Sequence, residues 1–208
     1  MHPFGAEFAH TMQTRIQPNG WHFNLNFAHM KYLSSIPLIF LFLCISAPIS
    51  AQTKAKKEGI NWVSIEKADE LRRTAPRKVL IDVYTDWCGW CKRMDATTFS
   101  DPTVIDYINK HYYAVKLDAE QEEPITLGDR TYVFVPNGRR GYHEIAKELL
   151  QGKMSYPTTV FLDEGMNMIQ PVAGYLDAQT IQPILEYLAE NAYKETPWEE
   201  WLKKREVN

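Results

Sequence analysis

Two hydrophobic periodicities alternate along the chain and mark out its elements. The segment Ser64-Ile65-Glu66-Lys67-Ala68-Asp69-Glu70-Leu71-Arg72 has helical spacing. Ser64 is placed to cap it, Lys67 completes an approximate capping box, and Pro76 ends it. Residues 79–84, Val-Leu-Ile-Asp-Val-Tyr, form a near-continuous apolar run of strand length, the pattern of a strand buried on both faces. Asp82 inside that run is anomalous and needs a reason. Beyond it, the pattern predicts a helix over residues 91–98 and a second helix opening at Asp101-Pro102, with Val104, Ile105 and Ile108 on one face. Residues 113–117 read as a strand, and 120–124 as an acidic loop closed by Pro124.

Residues 130–135 read as a strand entering a tight turn at Pro136-Asn137-Gly138, and 142–150 as a helix. Residues 158–162 and 168–172 form two strands around a turn at Glu164-Gly165. A helix over 177–192 follows, and Thr196-Pro197-Trp198-Glu199 opens another. Early strands joined by helices and a late hairpin, without internal repeats, make a layered α/β domain.

The N-terminal region follows a different pattern. Residues 36–45 are apolar but too few to span a bilayer, and Pro37 interrupts them. Met30-Lys31 precedes the run, and small residues ending at Ala51 follow it. This is the layout of a secretory signal peptide over residues 30–51, cleaved after Ala51. Residues 1–29 are then a non-native or disordered leader, with Met30 the expected start. Residues 52–60 form a Lys-rich linker, 61–192 the folded domain and 193–208 a helical tail. A lipid anchor at Cys44 is disfavoured, because Phe42-Leu43 stands where small residues belong.

Composition narrows the function. The chain of 208 residues is 45% hydrophobic and 24% charged, as expected of a folded protein. A net charge of −3 offers no basic excess for nucleic acid. Loss of residues 1–51 removes two basic residues and one acidic one, and leaves His111, His143, Cys88 and Cys91 as the histidines and cysteines. Export would place that cysteine pair where disulfides form and persist.

Cys88-Gly89-Trp90-Cys91 has three possible chemistries. Structural zinc needs four ligands, and two widely separated histidines supply the rest poorly. Haem attachment needs histidine after the second cysteine, where Lys92 stands. Redox exchange needs only the pair, with one sulfur exposed and activated and the other nearby. A helix opening at the motif would lower the pKa of Cys88 from about 8.5 to roughly 3.5–7.5. Cys91, one turn inside, would be more buried and act second. A purely structural disulfide remains an alternative, although so short a loop contributes little stability.

The run from Asp82 to Lys92 resembles the active-site segment of the thioredoxin superfamily. Ser155-Tyr156-Pro157-Thr158 and the apolar run after it resemble that family's cis-proline loop and following strand. The resemblance covers roughly residues 61–192. It implies a thioredoxin-like fold, a central mixed sheet flanked by helices, with an inserted strand or hairpin before the cis-proline loop. It also implies that Cys88 attacks and Cys91 resolves. Pro157 would be the cis-proline facing the pair, with Tyr156 offering its backbone to an extended substrate strand and narrowing the substrate range by its bulk. Asp82 would be the buried acid below Cys91, its pKa raised, exchanging a proton with that cysteine. Lys116 falls where the family often places a lysine near that acid. Trp87 would shield the disulfide, unless it is simply a core aromatic.

Gly89 and Trp90 form the inner dipeptide, which also faces substrate. Trp90 departs from the family's usual proline or histidine, so the direction stays open across potentials of about −270 to −120 mV. The stretch 120–140 is longer than usual and carries Arg139-Arg140 at its turn; it is either a partner-docking surface or a plain elaboration. His143 is a surface or packing residue, and Trp198 and Trp201 pack the C-terminal helix onto the domain.

The expectation is an exported thiol–disulfide oxidoreductase of the periplasm or exterior, a monomer acting on protein thiols or disulfides. It uses the Cys88–Cys91 redox disulfide, without bound cofactor or metal, and a membrane electron donor or acceptor is a possible partner. A non-catalytic binding module of the same fold in the cell envelope, or a membrane-tethered component, are the alternatives.

Overall fold

The computed structural model describes residues 59–207. The expected leader, signal peptide and nearly all of the linker lie outside the described residues.

The central sheet follows from the apolar runs. Strands β1 (Trp62–Val63), β2 (Lys78–Tyr84) and β3 (Tyr112–Asp118) are parallel, joined by helices α1 (Ile65–Thr74), α2 (Gly89–Ala96) and α3 (Pro102–His111). After an inserted region come α4 (Glu144–Leu149) and the antiparallel strands β8 (Thr158–Leu162) and β9 (Met168–Ala173). Helices α5 (Ala178–Ala189) and α6 (Trp198–Val207) end the chain's described part. The strand order is β1-β3-β2-β8-β9, the mixed sheet expected. Both edges are blunted, one by the two-residue β1 and the other by Pro171 within β9.

Strand β2 is buried along almost its whole length, and its alternation decides what each face holds. Val79, Ile81 and Val83 meet one layer of core with Ile65, Ala68, Ile145 and Leu149. Leu80 meets the other layer, with Met94 of α2, Val104 and Ile108 of α3, and Ile181 and Leu185 of α5. Asp82 shares parity with Leu80, so its side chain falls on the face that α2 covers.

The caps agree with the sequence in three places. Ser64 accepts the Lys67 N–H, Asp101 accepts from Thr103 and Val104, and Asp177 accepts from Thr180. Trp198 and Trp201 pack against Tyr187 of α5 at ring separations of 5.1 and 5.3 Å, seating α6 as expected. Among the described residues, no helix is long and apolar enough to cross a membrane.

The inserted region differs from the sequence expectation. Residues 130–135 are not one strand. Strand β5 (Arg130–Tyr132) pairs with β4 (Ile125–Leu127), and β6 (Phe134–Asn137) pairs separately with β7 (Arg140–His143). The helix expected from residue 142 therefore begins at Glu144, because the backbones of Tyr142 and His143 are engaged opposite Val135 and Phe134. His143 instead caps α4 and is fully buried, a packing residue whose pKa burial pushes down. Helix α2 starts two residues before the expected Cys91, because Cys88 itself caps it.

Candidate active site

The cysteine motif sits where β2 hands over to α2. The Cys88 N–H donates to the Thr85 carbonyl at 3.0 Å, turning the chain sharply at the strand's end. Cys88 then occupies the N-cap in extended conformation, and its Sγ accepts the Cys91 N–H at 3.1 Å. Cys88 and Cys91 are joined in a disulfide, with their Cα atoms 5.3 Å apart. In this form both residues are largely covered, at 5% exposure for Cys88 and 2% for Cys91, so Cys88 is only slightly the more accessible. A thiolate at Cys88 would face the free N–H groups at the start of α2, the end of the helix that favours negative charge.

Beneath the motif lies a small polar network in apolar surroundings. Asp82 is 1% exposed. Its Oδ2 accepts from Lys116 Nζ at 2.8 Å, directly across the β2–β3 register, while its Oδ1 has no partner. Burial pushes the Asp82 pKa up, against the opposing pull of Lys116. The same lysine donates to Asp95 of α2 and lies 4.7 Å above the Tyr84 ring. Burial disfavours charge on Lys116, but the two carboxylates outweigh it and hold the ammonium's pKa up. The expected acid and its lysine are thus brought together. Asp95 escaped the sequence reading, although it stands four residues after Cys91 on the same side of α2, a spacing that could have flagged it.

Above the motif is a rim of exposed aromatic rings. Trp87 is 52% exposed, so it is no core residue. Its Nε1–H donates to Glu120 at 3.0 Å, and its ring meets Tyr156 edge-on at 5.8 Å. The Tyr156–Pro157 peptide bond is cis, as the resemblance implied, and the Tyr156 contact sets this loop beside the cysteine motif. Trp90 is 56% exposed and leans on Tyr175 at 5.5 Å, with the Arg93 guanidinium within 6 Å of both rings. Gly89 between them is exposed, and a Cβ there would meet no atom within 4 Å, so the surface beside the disulfide is open.

Arg140, at the turn of the second hairpin, stacks its guanidinium 4.3 Å from the Trp87 ring and lies 3.6 Å from Glu120. Nothing in the local pattern distinguished it from Arg139. Among the described residues, no cluster of three or more His, Cys, Asp or Glu side chains is placed to hold a metal ion.

The arrangement can exchange disulfides. It has a cysteine pair at a helix start, a buried carboxyl group of raised pKa on the sheet face below, and an open aromatic surface above. A profile of the thioredoxin-like domain family matches residues 66–189. The thiol:disulfide interchange protein DsbD of Pectobacterium atrosepticum is 25% identical over 182 residues, covering 80% of this chain and 28% of that protein. DsbD of Haemophilus influenzae strain 86-028NP is 29% identical over 136 residues, covering 62% of this chain and 20% of that protein. The chain thus spans less than a third of the length of these relatives. A solved thioredoxin-fold protein from Helicobacter pylori superposes with a TM-score of 0.48 at 19% identity, covering 64% of this chain and 81% of the other.

Proposed function

The chain belongs to the thioredoxin-like domain family, and on that premise we propose that it is a protein thiol–disulfide oxidoreductase working through Cys88 and Cys91. The observation that carries the reading is the Cys88–Cys91 disulfide at the N-cap of α2, above a buried carboxyl group whose pKa is raised. In the reducing direction, the Cys88 thiolate attacks one sulfur of a substrate disulfide. A Cys88–substrate disulfide forms, and the substrate's other sulfur leaves as a thiolate that takes up a proton. Cys91 gives its proton to the Asp82 carboxylate and attacks Cys88 Sγ. The second substrate thiolate is released, and Cys88–Cys91 is left oxidised. The oxidising direction is the reverse, with Asp82 returning the proton to Cys91.

Trp87, Gly89, Trp90 and Tyr156 form the surface on which a polypeptide lies, and Pro157 shapes the loop that presents it. The partners are protein thiols or disulfides, with a membrane-bound donor or acceptor of electrons completing the cycle. The signal-like pattern of residues 30–51 supports action outside the cytoplasm, in the periplasm or beyond. An N-terminal sequence beginning at Gln52 is the expected result for protein recovered from its native compartment.

The test is an equilibrium titration of the pair in glutathione or dithiothreitol redox buffers, with turnover of a reporter protein disulfide followed in parallel. Reversible cycling is expected, together with turnover that Cys88→Ser abolishes. A potential near about −270 mV would make it a reductase, and one near about −120 mV a donor of disulfides. A pair that does not cycle, or a Cys88→Ser variant as active as the unaltered protein, would refute the reading and leave a binding module with a passive disulfide.

A further inference from the structure

Residue 140 lies far from the cysteines in sequence, yet three observations place it in the wall of the candidate site. The hairpin that carries it is tied down beside the motif. The His143 N–H donates to the Ala119 carbonyl at 2.7 Å, and the Ala119 N–H to the Tyr84 carbonyl at 2.8 Å, so a backbone relay runs from β7 to the last residue of β2. The hairpin is also built closely. A Cβ at Gly141 would sit 2.0 Å from Phe134 Cζ, so glycine at this position lets the Phe134 ring lie across β7. The turn then projects the Arg140 guanidinium to 4.3 Å from the Trp87 ring and 3.6 Å from Glu120, the carboxylate that already accepts the indole N–H.

We propose that Arg140 is a positioning residue for substrate recognition. The 134–143 hairpin sets its guanidinium against Trp87, so that Trp87 and Tyr156 stand as a fixed aromatic wall beside the disulfide, and this wall favours polypeptide disulfides over small ones. The inference rests on the oxidoreductase reading above. Its physical basis is that Trp87 is held from three directions, by Arg140, Glu120 and Tyr156, while half of its surface remains open. An aromatic surface held in place loses little freedom when a chain covers it, which makes it an effective contact. A small aliphatic disulfide needs to reach only the sulfurs and covers little of this wall.

The experiment compares the unaltered protein, Arg140→Ala and Arg140→Lys in steady-state reduction of two substrates, a polypeptide disulfide (insulin) and bis(2-hydroxyethyl) disulfide. The indole N–H resonance of Trp87, assigned with Trp87→Phe, is followed alongside. Arg140 is exposed, so both variants should fold normally. For insulin, Arg140→Ala should raise KM about 3- to 5-fold with kcat within twofold, the scale of one lost exposed cation–π contact. KM for the small disulfide should not change, the indole resonance should move, and Arg140→Lys should fall between. An unchanged KM for insulin, or an equal loss with both substrates, would overturn the inference while the oxidoreductase reading stood. No turnover of either substrate by the unaltered protein would overturn both.

Discussion

The two sides of the Cys88–Cys91 disulfide are built on opposite physical principles. Below it, Asp82, Lys116 and Asp95 form a network that runs from Asp82, almost completely removed from solvent, out to the half-exposed Asp95. Above it, Trp87 and Trp90 keep more than half their surface in water and are steadied by Arg140 and Arg93. At Asp82, burial makes charge expensive, so a changed neighbour alters its proton affinity strongly. In the rim, water screens each contact and the individual contributions are small. On the proposed function, the floor carries the chemistry and the rim adjusts which molecules reach it.

The largest expected effect strikes the sulfur pair on which both sides converge. Cys91→Ser should lower turnover by about 10³-fold or more, since the two cysteines act as a unit, and a Cys88-linked mixed disulfide should accumulate. Mass spectrometry of the trapped species would identify the sulfur; linkage through any other residue would contradict the assignment.

Next comes the floor. Asp82→Asn should slow turnover near neutral pH by about 10²-fold, the lower end of what a positioned acid–base group supplies. It should also stabilise the fold at pH 7, because burial disfavours the Asp82 charge more than Lys116 favours it, while Lys116 keeps Asp95. The sign follows from the raised pKa. The folded protein holds the Asp82 proton more tightly than the unfolded chain does. That stability is full below the ordinary carboxylate value of about 3.9 and drains away as pH rises through the folded value. Thermal melts of both proteins across pH should therefore converge at low pH and separate towards neutrality; parallel curves would refute the sign.

Lys116→Met sharpens the same point. Removing the ammonium that opposes protonation should drive the Asp82 pKa still higher. The acid limb of the pH–rate profile should then move to higher pH, and a limb that stays in place would separate Asp82 from the rate. Smallest is Trp90→Ala in the rim. It should change KM for a polypeptide disulfide about 2- to 5-fold and stability by less than about 0.5 kcal/mol, as expected at an exposed site. A loss of stability comparable to a core truncation would make Trp90 a packing residue.

The same division explains what could be read from the chain. The floor lies in short, patterned segments. A charge inside the apolar run of 79–84 pointed to Asp82, the cysteine spacing to Cys88 and Cys91, and the family resemblance alone to Lys116. Asp95 was legible in principle from its spacing after Cys91, but a carboxylate on a helix surface carries no mark until Lys116 reaches it. In the rim, Trp87, Trp90 and Tyr156 were legible through the family resemblance, but Arg93, Glu120, Arg140 and Tyr175 join them only through the tertiary fold. Its hairpin was misread for the same reason. Residues 130–143 hold strands of three or four residues whose pairing is set by partners across the turn, and Tyr142 and His143 have helix-compatible neighbours but strand partners in Val135 and Phe134. The two-residue β1 is too short to leave a period at all.

The most direct test of the central claim, that the N-cap of α2 activates Cys88 as the attacking sulfur, is the pH dependence of alkylation at each cysteine in the reduced protein, read by mass spectrometry. Cys88 should react first, with a midpoint below the value of about 8.5 for a free thiol, and Cys91 only later and more slowly. Equal rates at the two sulfurs, or faster labelling of Cys91, would contradict it.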